Sequence, residues 1–360
     1  RASLPLDLQL TFPPRAALVE QGAIDAALTA ESLPLSVLEA FDLGLTDVEG
    51  VITAAATVTG TPATPRLEGA IRVRNGAATI AAAEQRYREI NADIELEDSR
   101  AEIVSFTARS DGTATATGTL LFEPLTDPSA DITIAFDGFR PLGVEGREGA
   151  AAWGELHVTG PVSAPIVTGD VVLNDGDVEI PTVAEDRTFA DDPVLLAQPA
   201  PPGETTPEQD PATPGAPPPA PPRPWYSAIT LDELRLEAGD DLWVTGENLR
   251  AQLEGELVIT GERGEFRIFG TLEGSRGTYT LQAGPIVRRF DIVASEVRFF
   301  GETPPNPAIS VTAVRRIITL DRRQVEIVAR IGGTISEPTL ALGTPDGTQI
   351  PESELLSFIL

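Results

Sequence analysis

Apolar and polar residues alternate with a period of two along almost the whole chain. In Ile90-Asn91-Ala92-Asp93-Ile94-Glu95-Leu96 the apolar residues take the even positions, and Ala114, Ala116 and Leu120 do the same against Thr113, Thr115, Thr117 and Thr119. Further on the apolar set is Leu253, Leu257 and Ile259, then Phe266, Ile268 and Leu272, then Val325, Ile327, Ala329 and Ile331. Successive side chains of a strand point to opposite faces, so each run builds one apolar and one wetted face. That is the signature of antiparallel sheet, and roughly twenty such runs follow one another at the ~8–12-residue spacing of an all-β architecture. Two short helices are expected, one at Ser32–Phe41 with Pro34 in its first turn and one after Pro351, where Glu352 and Glu354 sit near the N-terminus.

Three Asx-Gly pairs, Asn75-Gly76, Asp111-Gly112 and Asp175-Gly176, read as hairpin turns because both residue types tolerate positive φ. An internal repeat runs through two of them. TGTPATPRLEGAIRVRNGAATI at 59–80 and TGPVSAPIVTGDVVLNDGDVEI at 159–180 share Thr-Gly, a gap, Pro, Gly, strand, Asx-Gly and strand, and GGTISEPTLAL at 332–342 is a looser echo. Self-similarity of this kind predicts an elongated stack of units. Residues 193–224 hold 13 of the 32 prolines and interrupt the alternation. Since Pro cannot donate to a strand ladder, this stretch is expected to be an extended or disordered insertion between 1–192 and 225–360.

Composition narrows the chemistry. There is no Cys and one His, which removes disulfides, thiol nucleophiles, Cys-ligated metals and multi-His metal sites. His157 alternates with Leu156 and Val158 and is expected on the wet face, without a role. The net charge is 26 − 55 = −29, all 26 cations are Arg, and such a chain repels nucleic-acid backbones. Charge is uneven, because residues 263–330 carry 11 Arg and 7 acids, leaving 15 − 48 = −33 for the rest. Arg288-Arg289, Arg315-Arg316 and Arg322-Arg323 fall near strand ends, where they serve either as solvated rim charges or as contacts for anionic headgroups or an acidic partner. Asn174-Asp175-Gly176-Asp177 has too few oxygen ligands at fixed spacing for calcium. The neighbours Asp240 and Asp241 point to opposite sides of a strand and form no catalytic dyad. No catalytic site, cofactor or metal is expected, and three Tyr with three Trp are too few for the aromatic girdles of a membrane barrel.

From Ile229 to Leu360 the order of several short features resembles the C-terminal region of the TamB family, within the AsmA-like group. These are Gly255-Glu256-Leu257, Gly270-Thr271-Leu272, Gly277-Thr278-Tyr279, Phe290-Asp291-Ile292 leading into Val297-Arg298-Phe299, and Pro304-Pro305-Asn306-Pro307. Gly333-Thr334-Ile335-Ser336-Glu337-Pro338 before Leu340-Ala341-Leu342, then Thr344-Pro345 and the acidic segment from Pro351 to Ser357, complete the series. The resemblance implies a long sheet curled into a U-shaped trough, β-taco-like, with an apolar inner face. It further implies a non-catalytic periplasmic protein, inner-membrane anchored through a segment outside this fragment, that carries phospholipids towards the outer membrane beside a TamA- or BamA-type outer-membrane barrel. The alternative role within the family is a scaffold for outer-membrane protein insertion.

The inner face is then expected to be lined by Leu253, Leu257, Ile259, Phe266, Ile268, Leu272, Tyr279, Leu281, Phe290, Ile292, Val297, Phe299, Ile309, Val311, Val325, Ile327 and Ile331. Burial contributes about 0.8 kcal/mol per methylene, so a tail of roughly sixteen carbons gains on the order of 10 kcal/mol on such a wall without a specific site. The same alternation also builds filled sandwich cores, though those use more aromatic volume. Aspartate at Leu257 or Ile327 is expected to block lipid carriage while folding survives. The apolar end, Leu355, Leu356, Phe358 and Ile359, is the expected partner contact unless it packs on a following domain of a longer protein.

Overall fold

The computed structural model describes residues 2–3, 6–9, 15–18, 22–41, 44–144, 147–179, 228–246, 248–283, 286–318 and 324–345. Strands dominate it. The first nine are β1 (Ala2–Ser3), β2 (Leu6–Gln9), β3 (Arg15–Leu18), β4 (Ile24–Pro34), β5 (Leu45–Gly60), β6 (Pro65–Ile80), β7 (Gln85–Asp98), β8 (Arg100–Leu121) and β9 (Ser129–Phe139). Next come β10 (Gly143–Val144), β11 (Arg147–Glu148), β12 (Ala151–Pro161), β13 (Ile166–Asn174), β14 (Gly176–Glu179), β15 (Thr230–Ala238) and β16 (Leu242–Thr245). The series closes with β17 (Leu249–Glu262), β18 (Glu265–Ala283), β19 (Ile286–Phe300), β20 (Ala308–Ile318), β21 (Gln324–Gly333) and β22 (Pro338–Gly343).

Eighteen of these strands form one open sheet. β4 through β9 pair in chain order, β9 pairs β12 and β12 pairs β13, all antiparallel. β15 and β16 pair β17, and β17 through β22 again pair in order, antiparallel. The two runs meet at a parallel seam, β13 beside β15 and β14 beside β16. The sheet is thus continuous on either side of the proline-rich stretch, which itself lies outside the described residues. Parallel neighbours cannot be joined by a hairpin. Ile166 faces Thr230, so β15 begins beside the start of β13, roughly 40 Å along the strands from Glu179 at ~3.3 Å per residue.

The Asx-Gly pairs differ from expectation. Asn75-Gly76 lies inside β6, Asp111-Gly112 inside β8, and Asp175-Gly176 joins β13 to β14, which run on in the same direction. Asn75, Asp111 and Asp175 do take positive φ, at 51°, 67° and 49°. The positive φ is as expected, but it serves a bend in a continuing strand rather than a reversal. These bends are neighbours. Gly76 abuts Gly50 of β5 and Ile90 of β7, Gly112 abuts Gly138 of β9, and Gly176 abuts Ala150. A Cβ on Gly112 would lie 2.1 Å from the Gly138 carbonyl carbon, so the backbones touch there. The register shifts continue the line through Gln252–Glu254 of β17 and Ile292–Ala294 of β19. One crease of bends and bulges therefore crosses the sheet from β5 to β19 and divides its long strands into two legs.

The internal repeat is one rib of this folded sheet. In each copy the Thr-Gly closes a strand, the gap is the turn, and the next strand runs to its Asx-Gly bend. The expected helix at Ser32–Phe41 is a correction: Ser32–Pro34 still belong to β4, Leu33 and Pro34 pairing with Ile52 and Val51, and only Leu35–Phe41 turns, as a 3-10 helix against β5. The second expected helix, after Pro351, lies outside the described residues.

Candidate functional site: the apolar face of the folded sheet

Residues directly opposite in a ladder share a face, so the registers trace each face across the sheet. One line runs Ala114, Phe136, Gly154, Val171, Leu236, Leu257, Gly270, Phe299, from β8 to β19. Its neighbour two residues on runs Ala116, Ile134, Leu156, Gly169, Leu234, Ile259, Ile268. Every member is apolar or Gly, and both lines pass through the parallel seam without a break. The interleaved lines on the opposite face carry Thr115, Glu155, Asp170 and Arg235, and Thr117, Thr133, His157 and Thr168.

The apolar face is the inside of the bend. Its residues are most buried along the crease, with Leu253, Leu272, Phe290, Ile292, Val311, Ala313, Ile327 and Ala329 packed in one cluster. Away from the crease, Leu257, Ile259, Phe266, Ile268, Tyr279, Leu281, Val297, Phe299, Ile309 and Ile331 are only half-buried. On the other face at the same bend, Glu254, Glu273 and Val293 are exposed. All the expected lining residues with described side chains thus fall on this one face. Val325 stands opposite Ile317 in the ladder, on the same register line. The shift from even positions (Phe266, Ile268, Leu272) to odd ones (Tyr279, Leu281) is made by the extra residue that β18 carries between Glu273 and Arg276. Among the described residues, no second layer covers this face of the C-terminal strands. Leu355, Leu356, Phe358 and Ile359 lie outside the described residues.

One expectation about substitution needs correcting. Leu257 stands on a half-exposed leg, but Ile327 is 1% exposed at the bottom of the crease. An aspartate there would be a buried, unpaired charge, so it would act on folding before it acted on any ligand.

The crease also holds the buried polar residues, which the alternation does not reveal. Bending frees backbone groups from their ladders, and side chains recover them. Ser110 Oγ donates to the Arg140 carbonyl at 2.5 Å and Ser295 Oγ to the Gly274 carbonyl at 3.1 Å. The Gln252 amide donates to the Asp240 carbonyl. Arg140, just after β9, ties β8 to the segments before β12 and between β13 and β14: its guanidinium meets Asp111 at 3.1 Å and Asp175 at 2.9 Å, and donates to the carbonyls of Gly149 and Asp175 at 2.5 and 2.7 Å. Asn174, Asp175 and Asp177 are engaged within the fold, with Asp241 N–H, Arg140 and Arg250 respectively. Asp241 accepts the Trp243 indole N–H. His157 is half-exposed on the outer face, bonded to Thr133 and Glu155. Burial pushes the phenols of Tyr279 and Tyr87 above their ordinary value of 10.0.

The family model of the TamB C-terminal domain matches residues 102–360. The chain belongs to the TamB family. The match begins in β8, well upstream of Ile229, so the TamB likeness takes in strands on both sides of the parallel seam. Among curated proteins, the translocation and assembly module subunit TamB of Haemophilus influenzae is 20% identical over 128 residues, 36% of this chain. That alignment takes in 9% of the H. influenzae protein's own length.

Proposed function

We propose that the chain is a segment of a cell-envelope lipid conduit whose inner wall is the apolar face of the folded sheet. The observation that carries this reading is the pair of ladder lines from β8 to β18, apolar or Gly at every position and uninterrupted at the seam. A sheet must hide an apolar face on a second layer or on a ligand, and among the described residues there is no second layer over the C-terminal strands. Aliphatic side chains of mixed size give a wall with no fixed end point, suited to sliding acyl chains of varied length. The residues bind by area alone, and no catalytic step is invoked. The H. influenzae relative is named as a subunit of a translocation and assembly module. In keeping with that name, the conduit works in the periplasm, inner-membrane anchored, and delivers phospholipid beside a TamA- or BamA-type outer-membrane barrel.

The test is mass spectrometry of lipids that co-purify with the chain, alongside Leu257→Asp. Phospholipid on the parent and its loss from the folded variant is the expected result. A folded parent that carries none, and takes up none from added phospholipid, would sink the reading.

A further inference from the structure

β4 spans a single leg of the folded sheet. Its ladder with β5 runs from Ile24–Gly60 to Pro34–Val51 and stops at the bend, whereas β5 goes on past it, pairing with β6 as far as Leu45–Ile80. Where a second leg of β4 would stand, the chain forms the 3-10 helix Leu35–Phe41. This helix turns onto the inner face. Leu35, 8% exposed, packs with Val48 and Ala78, and Leu38 joins the same cluster beside Ile52 and Val73. Ile52 and Val73 share a register line with Ala92 and Phe106. Phe106 in turn flanks the next cluster together with Phe136, a member of the apolar line that crosses the seam. The helix therefore lies inside the bend, on the surface that carries the conduit reading.

Its attachment is light. Among its described side chains Leu35 alone is buried and Leu38 half-buried, while Ser36, Val37, Glu39 and Ala40 are exposed. One polar tether joins it to the sheet, Glu39 Oε1 accepting the Val48 N–H at 2.8 Å. An element with so few buried contacts sits at the low-stability end of a fold. A leucine side chain and an acyl chain are equivalent occupants of an aliphatic wall, because each gains in proportion to the area it covers, and only one can cover a given stretch. We propose that the 3-10 helix Leu35–Phe41 is an intrachain plug. Leu35 and Leu38 occupy the part of the crease over β5 and β6 that acyl chains would otherwise take, and Glu39 holds them there. The plug rests on the conduit reading: lipid reaches the inner face from β7 onward while the helix is seated, and the crease of β5 and β6 only when it lifts.

The test incubates the chain with vesicles of phosphatidylcholine that carries a diazirine on one acyl chain, irradiates, and locates the adducts by peptide mass spectrometry. In the parent, adducts are expected at Ile94, Ile134 and Ile259 and at the exposed Val37, but not at Ile52 or Val73 beneath the helix. Leu35→Ser with Leu38→Ser should bring labelling of Ile52 and Val73 up to the level of Ile94 and leave Ile134 and Ile259 as they were. Should that pair lose its melting transition, Glu39→Ala carries the test, since it cuts the tether and removes no apolar packing contact; part of the same gain is then expected. Labelling of Ile52 and Val73 in the parent as strong as that of Ile94, or no gain once the helix is loosened, would overturn the plug while leaving the conduit standing. Absence of adducts at Ile94, Ile134 and Ile259 alike would overturn the conduit, and the plug with it.

Discussion

The strands before the seam and those after it share one rib design but fill it differently. From β15 to β22 the inner face carries Leu, Ile, Val and Phe among a few Ala, and its buried residues merge, with Ala150 from before the seam, into a single cluster that reaches Ala329. From β4 to β9 many of the same positions are Ala, including Ala54, Ala92, Ala101, Ala108 and Ala114, and the buried residues fall into two smaller clusters around Tyr87 and Val48. The earlier half compensates with specific contacts. Tyr87 stacks on Phe139 at 5.5 Å and donates to the Pro141 carbonyl at 2.6 Å, and Arg140 ties the bends of β8 and β13 together. A larger apolar cluster therefore carries most of the crease in one half, with Ser295 and Gln252 recovering backbone carbonyls, and polar and aromatic staples take a larger share in the other.

Each half should accordingly fail in its own way. The largest effect is expected from Ile327→Asp, which places a charge at a 1%-exposed position and should abolish cooperative folding of the later half. Phe290→Ala, at an equally buried site, should cost about 3–5 kcal/mol in denaturant unfolding. If either variant melted like the parent, the filled crease would not be the core. Arg140→Ala in the earlier half should cost less, about 2–3 kcal/mol, because its Asp partners are half-exposed and screened although the guanidinium is not. Arg140→Lys should recover little, since one ammonium cannot span both carboxylates and two carbonyls.

The smallest effect is a pH dependence confined to the earlier half. Asp93 sits below the ordinary carboxylate range because Arg74 hydrogen-bonds it, at 2.6 Å, with help from Ser105 and Arg72. Its contribution is therefore full above the unfolded pKa and is lost as pH falls through the lowered folded value. Asp93→Asn should lower stability slightly at neutral pH and leave it unchanged at pH values below the lowered folded value, so the acid limb flattens. An unaltered acid limb would show that this exposed cluster is inert.

Much of this was legible in the chain. The alternation identifies the sheet, and the lining residues read from it share one face, although only the pairing of β17 with β18 shows why their parity flips after Glu273. The crease was not legible. Asn75-Gly76 satisfies a hairpin and a bend equally, and only the long-range pairing of the flanking runs tells them apart. Ser110, Gln252 and Ser295 escaped for the same reason: their partners are backbone groups of distant strands, and Arg140 meets two such carbonyls and two carboxylates that only the long-range pairing brings to it. An equal spacing of Asx-Gly pairs within the repeat, read as a shared position along neighbouring strands, is the signal that would have exposed them. The seam was hidden too, since the prolines show that a ladder stops without showing that its neighbour resumes in parallel.

The central claim is that one apolar surface runs unbroken through the seam and holds acyl chains. Its most direct test places a photo-crosslinking residue singly at Ile134 and Ile259, on one inner line either side of the seam, and at Ala135 and Val258 on the outer face. After incubation with phospholipid vesicles and irradiation, adducts on both inner positions and on neither outer one are the predicted result. Adducts spread equally over the two faces, or found on only one side of the seam, would contradict it.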